Sequence, residues 1–424
     1  MVRRESDSVN KSFQLIYSGV RHEITRYVGR SETLTDSVGP LLRGSNKASM
    51  RANNERLVIT LLHRFGALSR AEIAAHTGLS AQAVSVITRK MQAEGLIIGG
   101  APQRGRVGQP AIPLALNPDG AFFIGVKVGR RSAEVVLGDM TGQIRDGVAQ
   151  TYAHPEPGPV ADFVLDGVAR IMARGDGPRA SGIGIAIPSE MWNWSSLIGM
   201  PTPRMDGWRD LNLAPRIAAL TGLPVYTRND ATAACGAELM FGTAELPANF
   251  LHLYFGYFIG GGLVLNNRLY DGPSGNAGAI GSMPIGWQGR PRQLIELASI
   301  HVLENTLPEG RILTDADDWD IPASLLDPWL DQAARSAAHA IGASCAVLDL
   351  EAVVIDGWMP TQIRADLTAR IVAALPDFDF SGMGMPQVIE GSLGRAARTI
   401  GAVAVPFGAH FLVDQQAPVA ASAE

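Results

Sequence analysis

The stretch SRAEIAAHTGLSAQAVSVITRKMQAEGLI, from Ser69 to Ile97, constrains this chain more than any other. It reads as two short helices joined by a tight turn. Ser69 stands three residues ahead of Glu72, the spacing at which the two side chains cap each other's backbone N–H groups. Ile73 and Ala74 face inward, and His76-Thr77-Gly78-Leu79 makes the turn, with Gly78 able to take a positive φ. Ser80 caps the second helix, where Val84, Ile87 and Met91 recur at i, i+3 and i+7 as a buried stripe. Ser80, Ala81, Gln82, Ser85, Thr88 and Arg89 then fall on or near the opposite face. They are short hydrogen-bonding side chains plus one cation, suited to base edges and phosphates. The pattern is a helix-turn-helix, with the second helix as its recognition helix.

An αα-hairpin inside an ordinary core has the same local signature, so the neighbours decide. Upstream, Leu57, Val58, Leu61, Leu62 and Phe65 form one more amphipathic helix that ends at Gly66. Downstream, Gly95-Leu96-Ile97-Ile98 reads as a strand, followed by GGAPQRGRVGQPAIPLAL, whose Gly and Pro break helix. Arg104 and Arg106 sit near the tip of that hairpin, placed for minor-groove or phosphate contact, or simply solvated. Three helices and a hairpin make a winged helix, and double-stranded DNA is the implied partner.

Charge follows the same boundary. Residues 1–118 carry 16 Lys and Arg against 8 Asp and Glu, while the remainder carries 20 against 33, which together give the net −5. A basic segment on an acidic body fits a DNA-binding head with a separate sensor or assembly module. No apolar run reaches the roughly 20 residues that span a bilayer, and the N-terminus has no signal-peptide pattern. Cys235 and Cys345 stand alone in apolar surroundings, which implies a reducing cytoplasm and neither a disulfide framework nor a metal cluster. Residues 1–50 read as a flexible arm, with a short helix over KSFQLIYSGVRHEITRYV; residues 51–118 read as the winged helix.

Beyond Asn117-Pro118-Asp119-Gly120 the texture changes. AFFIGVKVG and SAEVVLGDMTGQI read as two strands, followed by a helix around Val160–Ala173 and the buried strand Gly182–Pro188. A Trp-rich loop, a helix near Ala214–Thr221 and the strand PVYTRNDA come next, then two strands around a glycine turn and a glycine-rich loop. Another buried strand is expected over Cys345–Gly357, and SLGRAARTIGAVAVPF offers a closing helix. Alternating strands and helices predict an α/β body.

With these stretches in hand, residues from about 52 to 412 resemble the ROK family (repressors, uncharacterised reading frames and sugar kinases). The resemblance rests on the order and spacing of IGVKVG…GDMTGQI, VYTRNDATAACGAELMFG, FGYFIGGGLVLNNRLYDGPSGNAGAIGSMPIG, LIELAS, VVIDG and GRAARTIGAVAV behind a winged helix. It implies a two-lobed actin-like (ribonuclease H-like) body over 119–424. Lobe one would be about 119–232 plus a C-terminal helix at about 393–412, and lobe two about 233–392.

Departures from the family's enzymes carry as much information. Their first phosphate loop has the form Asp-x-Gly-x-Thr, where this chain has Lys127, Gly129 and Arg131; an ammonium cannot help hold Mg²⁺. Their second loop reads Gly-Thr-Gly-Ile-Gly-Gly-Gly, and here Tyr257 and Phe258 bring bulk before Ile259-Gly260-Gly261-Gly262. The family's Glu-x-Gly-His becomes Ala279-Ile280-Gly281-Ser282, and the cysteines of its structural zinc site are missing, so neither phosphoryl transfer nor a cofactor or metal is expected. The sugar-binding Asn-Asp pair is matched by Asn229 and Asp230, and a further Glu by Glu296; these three are the expected effector contacts. An Asn-Asp pair after a strand can equally well cap the next helix. Lys127, Arg130 and Arg131 allow an anionic ligand, or are surface cations. Trp192, Trp194 and Trp287 allow stacking on a sugar or simple packing, and Trp208 reads as structural.

The reading that results is a cytoplasmic transcriptional regulator, a repressor of carbohydrate-related genes. Its kinase-like body has lost catalysis and serves effector binding and assembly as a homodimer or homotetramer, with no membrane partner. Two alternatives stay open: an active carbohydrate kinase with an attached head, favoured by Asp230, and a regulator gated by a partner protein.

Overall fold

A computed structural model describes residues 47–102, 112–194, 202–287, 289–308, 313, 319–413 and 420–421. The expected helix in the N-terminal arm, and Arg104 and Arg106, lie outside these residues. The described residues from Asn53 onward form one compact unit.

Its first part is the winged helix. Helix Lys47–Phe65 ends ahead of Gly66, whose φ is 72°. Its buried stripe is Val58, Ile59 and Leu62, not the set expected: Leu57 and Leu61 are half-buried, and Phe65 is 51% exposed and stacks on His76. Helix Arg70–Thr77 starts at Ser69, with both halves of the capping box formed, and ends at Gly78 with φ 69°. Ser80 accepts from the Ala83 N–H and starts helix Ala81–Ala93. The wing strands β1 (Ile97–Gly99) and β2 (Leu114–Leu116) pair antiparallel, and Leu68 bridges to Leu114 on the other side.

The body contains two larger sheets. In the first, β3 (Phe122–Val128), β4 (Ser132–Asp139) and β5 (Ile144–Thr151) form an antiparallel meander. Beside β3 lie β6 (Ala180–Ile187) and β7 (Val225–Asn229), both parallel, and β15 (Ala420–Ala421) closes the edge, giving the order β15-β7-β6-β3-β4-β5. Strand β3 is buried along its whole length, which explains why it is apolar except at Lys127. In the second sheet β8 (Phe250–Phe255), β9 (Gly260–Leu265) and β10 (Arg268–Tyr270) are again an antiparallel meander. The parallel strands β13 (Ala352–Gly357) and β14 (Gln387–Glu390) follow, in the order β10-β9-β8-β13-β14. A small hairpin, β11 (Pro284–Trp287) with β12 (Arg290–Gln293), stands apart.

Two three-stranded meanders, each extended by parallel strands, are the repeated halves of an actin-like body. Helix Asp230–Phe241 crosses helix Ala397–Phe411 at Gly401, where a Cβ would come within 2.4 Å of the Ala233 carbonyl oxygen. Backbones so close fix the crossing of these two helices. Helix Ala323–Leu348 supplies Trp329, Leu330, Ala337 and Ile341 to the second core, and it corrects the strand expected from Cys345. Cys345 to Leu348 is the end of this helix; Asp349, left-handed at φ 48°, stops it, and the strand starts only at Ala352. Among the described residues no helix is long and apolar enough to cross a membrane.

The head and body share a core. Val58, Ile59 and Leu62 pack in one cluster with Phe123, Met140, Val403 and Phe407. The Val413 N–H donates to the Thr60 hydroxyl at 3.2 Å, and Arg64 donates to the Asn267 side chain, also at 3.2 Å.

Candidate functional site

The helix Ala81–Ala93 presents Ala81, Gln82, Val86, Arg89 and Lys90 to solvent, with Ser85 half-buried among them. Arg89 folds back and donates to the Ser85 carbonyl at 3.1 Å. Ser80 is exposed, but its hydroxyl already accepts the Ala83 N–H at 3.2 Å. Thr88 departs from the expectation. It is fully buried, donates to the Val84 carbonyl at 2.8 Å and accepts from Arg70 at 3.0 Å, so it braces the two helices from inside. Arg70 also reaches Gln92 at 2.8 Å. Val86, 55% exposed between Gln82 and Arg89, is a solvent-facing apolar position that the sequence reading does not name.

The second candidate site is a cleft of about 350 Å³ in the body, lined by Arg130, Ser189, Asn229, Asp230, Asn276 and Arg398, together with Ala279, Gly281 and Ser282. Asn229 ends β7 and caps the next helix: its Oδ1 accepts from the Ala231 and Thr232 N–H groups, at 3.0 and 3.2 Å. Its Nδ2 donates to the Ser189 hydroxyl at 3.1 Å. Asp230 is 5% exposed and pairs with Arg398 at 3.2 Å. Glu296 does not line the cleft, although its neighbour Ile295 does. Its carboxylate accepts from Arg292 at 2.6 Å and from the Gln293 N–H at 3.0 Å, which hold its pKa below the usual carboxylate range.

Lys127, Arg130 and Arg131 are held by contacts within the body. Lys127 is 7% exposed; burial pushes its pKa down, and its ammonium pairs with Glu134 at 3.1 Å. Arg131 pairs with Glu304 at 2.9 Å, donates to the Ala153 carbonyl and lies over the Tyr257 ring. Arg130 lies over the Phe258 ring at 4.4 Å. Behind the glycine run, a Cβ on Gly262 would fall 2.3 Å from the Cys235 Cβ, so close packing of β9 on the helix explains that glycine without any phosphate. A second cavity of about 400 Å³ shares Arg130, Tyr257 and Arg398 with the cleft and adds Lys127, Arg131, Trp358 and Thr399.

Ser189, Ser274, Asn276 and Arg398 are cleft residues that sequence reasoning missed, and Arg398 is the one ion-paired with Asp230. It sits in the closing helix, far along the chain from Asp230, with no local signal of the pairing. Trp208 is buried and donates its indole N–H to the Pro155 carbonyl at 2.7 Å. Trp192 packs on the first core under Arg209, while the side chains of Trp194 and Trp287 lie outside the description.

Fold and cleft together define a kinase-like two-lobed body carrying a winged-helix head. The chain belongs to the ROK family, whose model matches residues 123–406, and a MarR family model matches residues 53–106 of the head. It is 26% identical over 364 residues to the uncharacterized protein y4fQ of Sinorhizobium fredii, covering 84% of this chain and 90% of that one. It is 27% identical over 243 residues to the xylose repressor of Bacillus subtilis, covering 56% of this chain and 61% of the repressor. Among solved structures, a ROK family transcriptional regulator described as a homologue of the Escherichia coli MLC protein aligns at TM-score 0.62 and 21% identity, over 85% of this chain and 97% of that chain. A ROK family glucokinase from Streptomyces griseus, in complex with glucose and AMPPNP, aligns at TM-score 0.52 and 20% identity, over 67% of this chain and 98% of the enzyme. At these identities the structures establish the fold, which regulators and kinases share.

Proposed function

We propose that this protein is a DNA-binding transcriptional repressor whose body binds a sugar-class effector and does not catalyse phosphoryl transfer. The observation that carries the reading is the exposed Gln82–Arg89 face of a capped recognition helix, on a head whose core continues into the body through Val403 and Phe407. The repressors and regulators among the relatives support it. Against kinase activity stand Lys127, spent on Glu134, and Arg131, spent on Glu304, at positions where the enzymes hold Mg²⁺ and phosphate.

The coupling route is a single helix. Asp230 opens it in the cleft, and Phe241 closes it against the head, where its ring meets His63. An effector that favours one position of this helix biases how paired heads sit on their half-sites, by its differential affinity for the two states. Paired heads require a homodimer or larger assembly.

The test is selection of bound sequences from random duplex DNA, followed by anisotropy titration with and without sugars. Enrichment of a palindromic site whose affinity changes with a sugar supports the reading. Absence of any enriched sequence, or sugar-dependent ATP turnover, would sink it.

A further inference from the structure

Resting on that reading of the cleft, we infer that the effector is an anionic sugar derivative, a polyhydroxylated molecule bearing a carboxylate or phosphate ester whose negative group is received by Arg130.

Arg130 is 9% exposed, and its Nε and Nη1 are buried with no hydrogen-bond partner among the described residues. Leaving a buried charged donor unpaired costs more than a typical hydrogen bond returns, so a folded protein rarely keeps one without a use. Its ring contact with Phe258 holds the guanidinium in place but satisfies none of these N–H groups, because the ring takes the flat face. Burial pushes the pKa of Arg130 down to about 10, partly offset by Asp230, so the group stays charged at neutral pH.

The buried carboxylate of the cleft is already committed. Asp230 is the carboxylate there, and Arg398 is already paired with it at 3.2 Å. Lys127 and Arg131, beside them in the second cavity, have Glu134 and Glu304. Glu190 lines the cleft from its exposed rim. Asp230 is thus committed to Arg398, and a ligand anion supplies the acceptor that the buried Arg130 N–H groups lack. Around Arg130 the same cleft offers Asp230, Ser189, Ser274 and Asn276 as polar groups for hydroxyls. A volume of about 350 Å³ admits a monosaccharide with one such substituent.

The experiment is isothermal titration of the full chain with glucose, mannose and galactose, their uronates and their 6-phosphates, and inorganic phosphate alone. The wild type is expected to bind at least one anionic member about tenfold or more tightly than its neutral parent; whether uronate or phosphate wins identifies the source of the charge. Arg130→Met, which keeps the stem on Phe258, should weaken that member by roughly 10- to 100-fold and the neutral parent by far less. If circular dichroism shows that Arg130→Met does not fold, Arg130→Gln takes its place. Equal binding of neutral and anionic members, or an anion affinity indifferent to Arg130, overturns the inference while leaving the sugar cleft standing. Failure of every member to bind overturns both.

Discussion

The imidazole of His63 meets the ring of Phe241 edge-on, with centroids 5.2 Å apart and planes at 82°. His63 belongs to the first helix of the head, Phe241 is the last residue of the helix that Asp230 opens, and Phe407 of the closing helix stands 5.2 Å from the same imidazole. The Asp230–Phe241 helix thus runs from the cleft to the head, and its last residue packs on the head's first helix.

Trimming that contact should loosen the coupling while sparing the head. Phe241→Leu keeps an apolar side chain at the junction but removes the aromatic edge. We expect DNA affinity without effector to change little, and the factor by which effector alters it to shrink by about 1 kcal/mol. Anisotropy titrations of labelled operator, with and without saturating effector, measure both; an unchanged factor would show that the signal travels elsewhere.

Stability should fall on acidification, and the junction should supply part of the fall. Burial lowers the His63 pKa to about 4, against 6.5 for the free side chain, and His301 is lowered likewise to about 4. Between those values the unfolded chain binds more protons than the folded one. The stabilisation is thus complete above about pH 6.5 and is lost as pH drops through 4. For His63 alone the loss is on the order of 3 kcal/mol by the acid end. His63→Leu should flatten the melting-temperature profile between pH 6.5 and 4.5, with His301 leaving a residual slope; an identical profile would remove His63 from the account.

Asn229 has two separable roles, and two substitutions divide them. Asn229→Ala removes the cap on the Ala231 and Thr232 N–H groups and should cost about 1 kcal/mol in urea unfolding. Asn229→Ser keeps an acceptor for the cap but lacks the amide donor, so stability should be nearly restored. Effector affinity should fall in both. Full affinity in the serine variant would assign Asn229 to capping alone.

On the recognition helix, position relative to the core sets the outcome. Gln82→Ala should change the preferred DNA sequence at fixed salt, and Arg89→Ala should weaken all sequences alike while reducing the salt slope by about 1. Thr88→Val leaves Arg70 short of an acceptor and should cost roughly 1 kcal/mol of stability with the sequence preference intact. A changed preference in the valine variant would place Thr88 at the DNA after all.

The head was legible because its signals are local. Ser69 with Glu72, Gly78 and Ser80 act within four residues of themselves, and each does so in the fold. Periodicity misplaced Thr88 and Phe65 because a side chain's face depends on the helix packed beside it. Arg70 arrives from the neighbouring helix to claim Thr88, and His76 offers Phe65 a surface partner. The strand expected from Cys345 was misjudged for a related reason: an alanine-rich apolar run suits a buried helix as well as a strand, and the Asp349 stop is visible only in the backbone.

What the amino-acid order alone determined was the head's turn chemistry, the alternating α/β texture of the body and the residue types at Lys127, Arg131, Tyr257 and Phe258, since each is read from neighbours a few positions apart. Tertiary structure alone decided which charges are spent and which are free. Lys127 meets Glu134 across a strand pair, Arg131 meets Glu304 from the other lobe, and Arg398 reaches Asp230 from the closing helix. Arg130, adjacent in sequence to Arg131, finds no such hydrogen-bond partner for its buried Nε and Nη1. Ion pairing acts over a few ångströms in space, and the chain brings those partners together only once both sheets are folded.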